Sequence, residues 1–309
     1  MAENTNDNIQ NFNQAGKEKM VASKKLDEKL KRNMSQIKHK ILVLSNKGGV
    51  GKSLVAVNLA CSLSEKGFKV GILDADLHGP SVAAMLGFEG KKLQGSSEGI
   101  IPMNVSSNLV AVSMAFLIET SDAPLIWRGP LKMMALKQFL GEVKWGNLDY
   151  LIIDSPPGTG DEPLSICQLI PELEGGIIVT TPQKVALLDS RKCINFLKNL
   201  NIPILGIIEN MSVLKCPYCG KNIDLFKSGG GKKTAEEFKV PFLGKIPIDI
   251  DMVNSTDEGK PYISQYKSSK TAQIFNKIVE LILVKIAKLF YTVMVYGVNS
   301  VVQKHCRGE

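Results

Sequence analysis

Short apolar runs punctuate the chain from residue 41 onward, and amphipathic stretches separate them. The runs at 41–45, 69–73, 109–114, 150–154, 176–181, 204–209 and 242–246 predict strands, since each is of strand length and rich in Val, Ile and Leu. Helical spacing predicts helices over 52–66, 130–140, 185–199, 232–238 and 270–289. Strands that are apolar almost throughout, alternating with helices, predict an α/β fold of three layers: a mostly parallel sheet flanked by helices. Upstream, residues 17–40 place Met20, Leu26, Leu30, Met34 and Ile37 at helical spacing among charges and predict a leader helix, while residues 1–16 read as disordered. The Gly-, Ser- and Lys-rich stretch 87–108 reads as a loop or excursion, and no internal repeat is visible. The run "LFYTVMVYGVNSVV", residues 289–302, carries no charge. It is shorter than the ~20 residues of a membrane span. Extended back to Ile278, it takes in Glu280, Lys285 and Lys288. We read it as a helix or strand packed on the body, with membrane or partner contact as the alternative. The predicted organisation is a leader over 1–40, a body over 41–288 and an apolar tail over 289–309.

Charge changes this picture less than its total suggests. The net charge is +8, but residues 17–40 contribute +6, residues 266–309 contribute +5, and residues 1–16 contribute −2, which leaves the body at −1. The basic excess sits at the ends and reads as solvated helix, with nucleic acid or an anionic membrane as the alternative; no specific nucleic-acid partner is expected. Apolar residues make up 44% of the chain and charged residues 22%, enough for a sizeable core in a soluble protein. The polar N-terminus "MAENTNDNIQNFNQAG" has no apolar signal region. Six cysteines in 309 residues fit a reducing cytoplasm better than a disulfide scaffold, and Cys61, Cys167 and Cys193 read as packing residues.

The chemistry concentrates in three segments. "SNKGGVGKS" lies between a predicted strand and a predicted helix, the setting a phosphate-binding loop requires. Backbone N–H groups along Gly48, Gly49, Val50, Gly51, Lys52, Ser53 and Leu54 would cradle phosphates. The Lys52 ammonium would reach the β- and γ-phosphates, and the Ser53 hydroxyl would offer an oxygen to Mg²⁺. The common pattern has a glycine at position 46, where this chain has Asn, and Lys47 is a second lysine at the front of the loop. "DYLIIDSPPGTGD" ends a strand at Asp154, placed to hold Mg²⁺ through water, and its loop could sense the γ-phosphate through Gly158. In "GILDADLHGPS", Asp74 and Asp76 sit at the C-terminal end of a strand, where parallel sheets bind ligands. Asp74 would lie near the Mg²⁺ waters, and Asp76 would orient or deprotonate the attacking water.

Cys216 and Cys219 form C-P-Y-C-G, a spacing at which two thiolates can grip one metal or one cluster edge. One pair supplies two of the four ligands that tetrahedral Zn²⁺ or a [4Fe–4S] cluster usually takes, and the chain holds no second such pair. A two-fold axis would complete the set. A zinc staple, a redox dithiol and plain unliganded thiols remain open on spacing alone.

Taken together, "KGGVGKS", "LDADLHGPS", "DYLIIDSPPGTGD", "TTPQKVALLDSRKCINFL" and "IIENMS" followed by "CPYCG" resemble the Mrp/ApbC group of SIMIBI P-loop ATPases, from about residue 30 to about 285. This group of cytosolic iron–sulfur cluster carriers is related to the MinD/ParA ATPases and the nitrogenase iron protein. The resemblance implies a slow ATPase that works as a homodimer around two ATP molecules. Lys47 would then cross the interface to neutralise the partner's γ-phosphate. It implies that Asn210 contacts adenine, with the segment 246–255 passing near the base. It also selects a labile [4Fe–4S] cluster over zinc at Cys216 and Cys219, with apo iron–sulfur proteins as recipients. Two features depart from relatives: residues 1–60 contain no cysteine, and the apolar tail has no counterpart in the resemblance. The rival readings are a MinD/ParA-like positioning ATPase, which needs neither cysteine, and a zinc-stapled protein-targeting ATPase.

Overall fold

A computed structural model of the chain describes residues 20–97, 99–117, 129–216, 218–226 and 228–305, with the backbone alone for 130, 290 and 292–305. Its elements in order are α1 (20–35), β1 (Ile37–Leu44), α2 (Lys52–Glu65), β2 (Val70–Asp74), α3 (Val82–Met85), β3 (Gln94–Ser96), β4 (Gly99–Ile101), β5 (Met103–Ser106) and β6 (Leu109–Ser113). A 3₁₀ turn (Met114–Leu117) follows, then α4 (Gly129–Glu142), β7 (Leu148–Asp154), α5 (Asp161–Leu169), β8 (Gly175–Thr180), α6 (Lys184–Asn199) and β9 (Ile204–Glu209). The chain closes with β10 (Leu214–Lys215), β11 (Asn222–Ile223), α7 (Gly230–Phe238), β12 (Phe242–Lys245), α8 (Ile250–Asp257), α9 (Tyr262–Gln265) and α10 (Lys270–His305).

Eight strands form one sheet in the order β12-β9-β8-β1-β7-β2-β6-β5. All neighbours are parallel except β5, which runs antiparallel to β6 at the edge. Period-two alternation splits β1 between the two faces: Ile41 and Val43 join a core with α2, α9 and α10, while Leu42 and Leu44 join a core with α1, α4, α6 and α7. The three-layer expectation holds, and it puts the C-terminal ends of β1, β2, β7, β8 and β9 on one rim, where the loops with candidate chemistry lie.

Three boundaries differ from the sequence reading. The leader helix ends at residue 35, and β1 begins at Ile37 rather than 41. Two lysines in this first half of β1 hid the strand. Lys38 is exposed and pairs with Asp149 at 2.8 Å. Lys40 is buried and donates to the carbonyls of Met34 (3.3 Å) and Ile37 (3.2 Å), closing the last turn of α1; burial pushes its pKa down. The 87–108 excursion holds β3, β4 and β5, short strands with largely exposed or half-exposed residues that carry no apolar run. At the other end, α10 runs through residue 289 without a break, so no change in backbone marks the expected border between body and tail. Its side chains pack on the sheet as far as Ile286 and Leu289. The expectation for residues 1–16, and the packing of side chains beyond Tyr291, lie outside the described residues.

The leader is integral to the core. Leu30 and Met34 are buried against the α4 face, and Asn33 Nδ2 donates to the carbonyls of Leu140 (3.3 Å), Gly141 (2.9 Å) and Val143 (2.9 Å), closing the end of α4. Met34 is 0% exposed, so Met34→Ala is expected to cost roughly 2–5 kcal/mol of stability in chemical denaturation.

Candidate functional site: a phosphate loop and a cysteine hairpin

The loop between β1 and α2 surrounds a cavity of about 250 Å³ lined by Lys47, Gly48, Gly49, Lys52, Ser53 and Asp76 among others. Gly51 caps α2 at φ +77°, a left-handed conformation that an L side chain resists. A Cβ there would also lie 2.3 Å from Asn210 Nδ2. No acidic residue occupies the first turn of α2, so its free N–H groups meet no competing carboxylate.

Lys52 is 6% exposed, and its Nζ lies 2.5 Å from Asp154 Oδ1 and 3.3 Å from Ser53 Oγ. Asp154 is fully buried, and its other oxygen, Oδ2, has no hydrogen-bond partner among the described residues. Burial pushes this carboxyl's pKa up, and Lys52 pulls against it. A buried carboxylate oxygen without a donor suits a cation or its water shell. Residues Asp74 and Asp154 are paired in register on neighbouring strands. Burial, then the Asp154 charge, pushes the Asp74 carboxyl up to about 7.

Asp74 and Asp76 divide their work differently from the simplest expectation. Asp74 is wholly engaged by the fold. Its Oδ1 accepts from the Asp76 N–H (3.1 Å), and its Oδ2 accepts from Ser113 Oγ (2.8 Å) and the Val82 N–H (3.2 Å). It braces the loop from behind the cavity. Asp76 lines the cavity, with Oδ1 receiving the N–H groups of His78 (3.1 Å) and Gly79 (3.2 Å).

The Gly158 N–H is donated to the Ser45 carbonyl at 2.8 Å, tying the Asp154 loop to the phosphate loop. Asn46 strengthens this tie, a role that sequence reasoning missed. Its Oδ1 accepts from Thr159 Oγ1 (3.2 Å), and its Nδ2 donates to Asp189 Oδ1 on α6 (2.8 Å). The departure from glycine at position 46 was the visible signal, since an amide both donates and accepts. Lys47 is exposed, and no hydrogen bond or ion pair of its ammonium is found among the described residues. Asn210, 1% exposed, donates Nδ2 to the Val50 carbonyl at 2.9 Å and leaves Oδ1 buried without a partner among the described residues.

The cysteines sit on a small hairpin in which β10 pairs antiparallel with β11, Leu214 opposite Ile223 and Lys215 opposite Asn222. The Cys216 N–H donates to the Lys221 carbonyl and the Gly220 N–H to the Cys216 carbonyl, both at 2.9 Å. Cys219 is exposed, Cys216 half-buried, and Tyr218 between them is 97% exposed. The backbone N–H groups of Cys219 and Tyr218 hold the Cys216 thiol below its ordinary pKa. Burial pushes Cys61 and Cys193 up to about 12 and Cys167 up to about 11. Among the described residues no group of three or more His, Cys, Asp or Glu could hold a metal ion. Within those residues, the hairpin pair is an incomplete ligand set.

A parallel sheet with a glycine loop after β1, a lysine at the helix start and carboxylates on the adjoining strand ends defines a P-loop NTPase. Comparison narrows the class. Residues 36–283 match the profile described as "ParA: NUBPL iron-transfer P-loop NTPase". The chain is 51% identical over 260 residues to the iron-sulfur cluster carrier protein of Methanocaldococcus jannaschii, covering 84% of this chain and 89% of the relative. It is 46% identical over 258 residues to the cytosolic Fe-S cluster assembly factor CFD1 of Saccharomyces cerevisiae, covering 80% and 88%. Among solved structures it resembles a nucleotide-binding protein from Archaeoglobus fulgidus in complex with ADP, with a TM-score of 0.67, 39% identity and coverage of 76% and 92%. The cell division ATPase MinD of Pyrococcus furiosus shares the fold at 23% identity and a TM-score of 0.57, covering 81% and 99%. The chain belongs to the iron-transfer P-loop NTPase family. No helix among the described residues is long and apolar enough to cross a membrane.

Proposed function

We propose that the protein is a cytoplasmic, ATP-hydrolysing carrier that takes a labile [4Fe–4S] cluster as cargo and passes it to apo-proteins. The observation that carries this reading is the incomplete thiolate pair, held on an ordered hairpin in a member of an iron-transfer family. Two copies face to face would supply four thiolates. Apolar side chains on that rim support such a pairing: Val185 and Leu188 at the start of α6, and Ile250 and Val253 on α8, are each at least half exposed.

At the nucleotide site, the N–H groups of Gly48 through Leu54 hold the phosphates, and Lys52 turns from Asp154 to the β- and γ-oxygens. Ser53 and Asp154, the latter with its Oδ2, would hold Mg²⁺, with Asp74 bracing from behind. Held there, the ion would supply charge neutralisation at the phosphates. Asp76 orients the attacking water. Gly158 senses the γ-phosphate by exchanging its bond to Ser45. Asn210 Oδ1 accepts from the adenine amino group. Lys47, exposed at the cavity mouth, acts on the partner's γ-phosphate. Lys47→Ala is therefore expected to keep ATP affinity and lower phosphate release by roughly 10²–10³-fold, the scale of losing one preorganised charge-stabilising group.

Anaerobic reconstitution with iron and sulfide, followed by metal analysis and size measurement, tests the cargo. Iron and sulfide in equal amounts, shared between two chains, support the reading. Zinc retained in preference to iron overturns it in favour of a stapled targeting ATPase.

A further inference from the structure

The two halves of the site meet at one dipeptide. β9 ends at Glu209 and Asn210 follows, and successive residues of an extended chain point to opposite sides. Asn210 points into the phosphate loop, where its Nδ2 holds the Val50 carbonyl and Gly51 leaves no slack beside it. Glu209 points the other way, to the start of α7. Its carboxylate is 0% exposed and accepts the Gly229 N–H (3.0 Å) at Oε1 and the Gly231 N–H (2.6 Å) at Oε2. Gly231 and Glu209 approach closely: a Cβ at Gly231 would lie 3.1 Å from both Glu209 Cβ and Oε2, a tight contact that would press on the carboxylate.

Both feet of the cysteine hairpin are fixed here. The outgoing strand leaves from Asn210, whose N–H donates to the Thr180 carbonyl at 2.8 Å, and is pinned by Ser212, whose N–H and Oγ both donate to the Ile246 carbonyl at 3.0 Å. The returning strand comes down through Ser228 to Gly229, the residue Glu209 holds. Lys245 on β12 secures the same foot, donating to Ser228 Oγ at 2.9 Å and lying 3.9 Å from Glu209 Oε1. A shift of Val50 as phosphate enters the loop must move Asn210. Because Glu209 is bonded to Asn210, the same shift pulls on the returning foot.

We infer that Glu209 is a positioning residue that couples the phosphate loop to the cysteine hairpin within one chain. The inference rests on the nucleotide reading above, and its test separates the two. Full-length reduced protein, free of iron, is alkylated with iodoacetamide at fixed pH with and without ATP and Mg²⁺. The rate at Cys216 and Cys219 is followed by peptide mass spectrometry, and ATP affinity is measured in parallel with a fluorescent analogue. In the unsubstituted protein ATP is expected to change the alkylation rate about fivefold or more, the lower end of measured coupling between sites. In Glu209→Gln and Lys245→Met the ratio is expected to fall to about one, with ATP affinity unchanged within about twofold.

A purely structural role for Glu209 would change the rate equally with and without ATP, leaving the ratio as in the unsubstituted chain; that result overturns the inference. A ratio of one in the unsubstituted protein with ATP bound also overturns it. Failure to bind ATP at all overturns the nucleotide reading, and the affinity measurement shows this directly. If Glu209→Gln does not fold, Lys245→Met decides alone, since its side chain is 39% exposed and tolerates change.

Discussion

Serine at both Cys216 and Cys219 is expected to abolish iron loading while leaving ATP affinity within about twofold, because neither thiol lines the phosphate-loop cavity and a near-isosteric hydroxyl leaves the Glu209 and Asn210 contacts at the feet of the hairpin in place. The thiolate is the ligand, and a hydroxyl at the same place neither ionises near neutral pH nor offers a soft donor. No other described cysteine can substitute. Cys61 and Cys193 are buried, and burial holds their thiols near 12; Cys167 is held near 11. Cys216 is shifted the opposite way by N–H groups at its sulfur, so it reaches the thiolate more readily. Metal analysis after anaerobic reconstitution measures the loss. The double variant also tests the positioning-ATPase reading, since a protein of that kind would keep its whole function without these two residues.

Lys52→Ala is expected to remove phosphate release altogether and to destabilise the fold by roughly 3–5 kcal/mol, the cost of breaking a buried ion pair by removing one partner. Both members of the pair are buried, Lys52 at 6% exposure and Asp154 at 0%. The loss should depend on pH with a definite sign. Without Lys52, burial drives the Asp154 carboxyl still further above its unfolded value. The folded state then binds the proton more tightly than the unfolded state, so the variant gains stability as pH falls and loses it as pH rises through the raised pKa. Adding Asp154→Asn removes the stranded charge. The double variant should recover most of the stability and none of the turnover. Denaturation curves at several pH values and a phosphate-release assay separate the two effects.

The parts of this architecture that were legible in the sequence share one physical property: local pattern and tertiary role agree. Strands β2, β7, β8 and β9 are buried on both faces, so their apolar runs are unbroken and their limits fall within two residues of expectation. The phosphate loop was legible because its geometry requires glycines and a lysine at fixed spacing. Reading failed where a long-range partner changed what a residue type means. Lys40 looks like a helix-surface charge but is buried in β1, because the carbonyls at the end of α1 receive its ammonium. Helix α5 was not expected, since Asp161, Glu162 and Pro163 suggest a loop; they occupy a helix's first turn, where acids and proline are both tolerated. In the site, the types of Asp74 and Asp154 pointed to metal chemistry, but only the packing shows that both Asp74 oxygens are engaged, by Asp76, Ser113 and Val82, while Asp154 gives Oδ1 to Lys52 and keeps Oδ2 without a partner among the described residues. Glu209 gave no signal, because its partners are backbone groups twenty or more residues away.

The position of β1 between β7 and β8 has a consequence for biosynthesis. Ile37 pairs with Leu148 and Ile41 with Gly175, so the strand that carries the nucleotide loop is translated long before either ladder partner leaves the ribosome. Strand β2 waits for β7 as well, since β7 lies between it and β1. β7 is thus the keystone: until it emerges, the nascent chain holds an unpaired apolar β1 and a partial sheet of β2, β6 and β5 with an open edge, the condition in which chains aggregate. The apolar strands of the first half of the chain therefore stay without their ladder partners until the middle of translation, and chaperone cover over them is needed until β7 and β8 have left the ribosome.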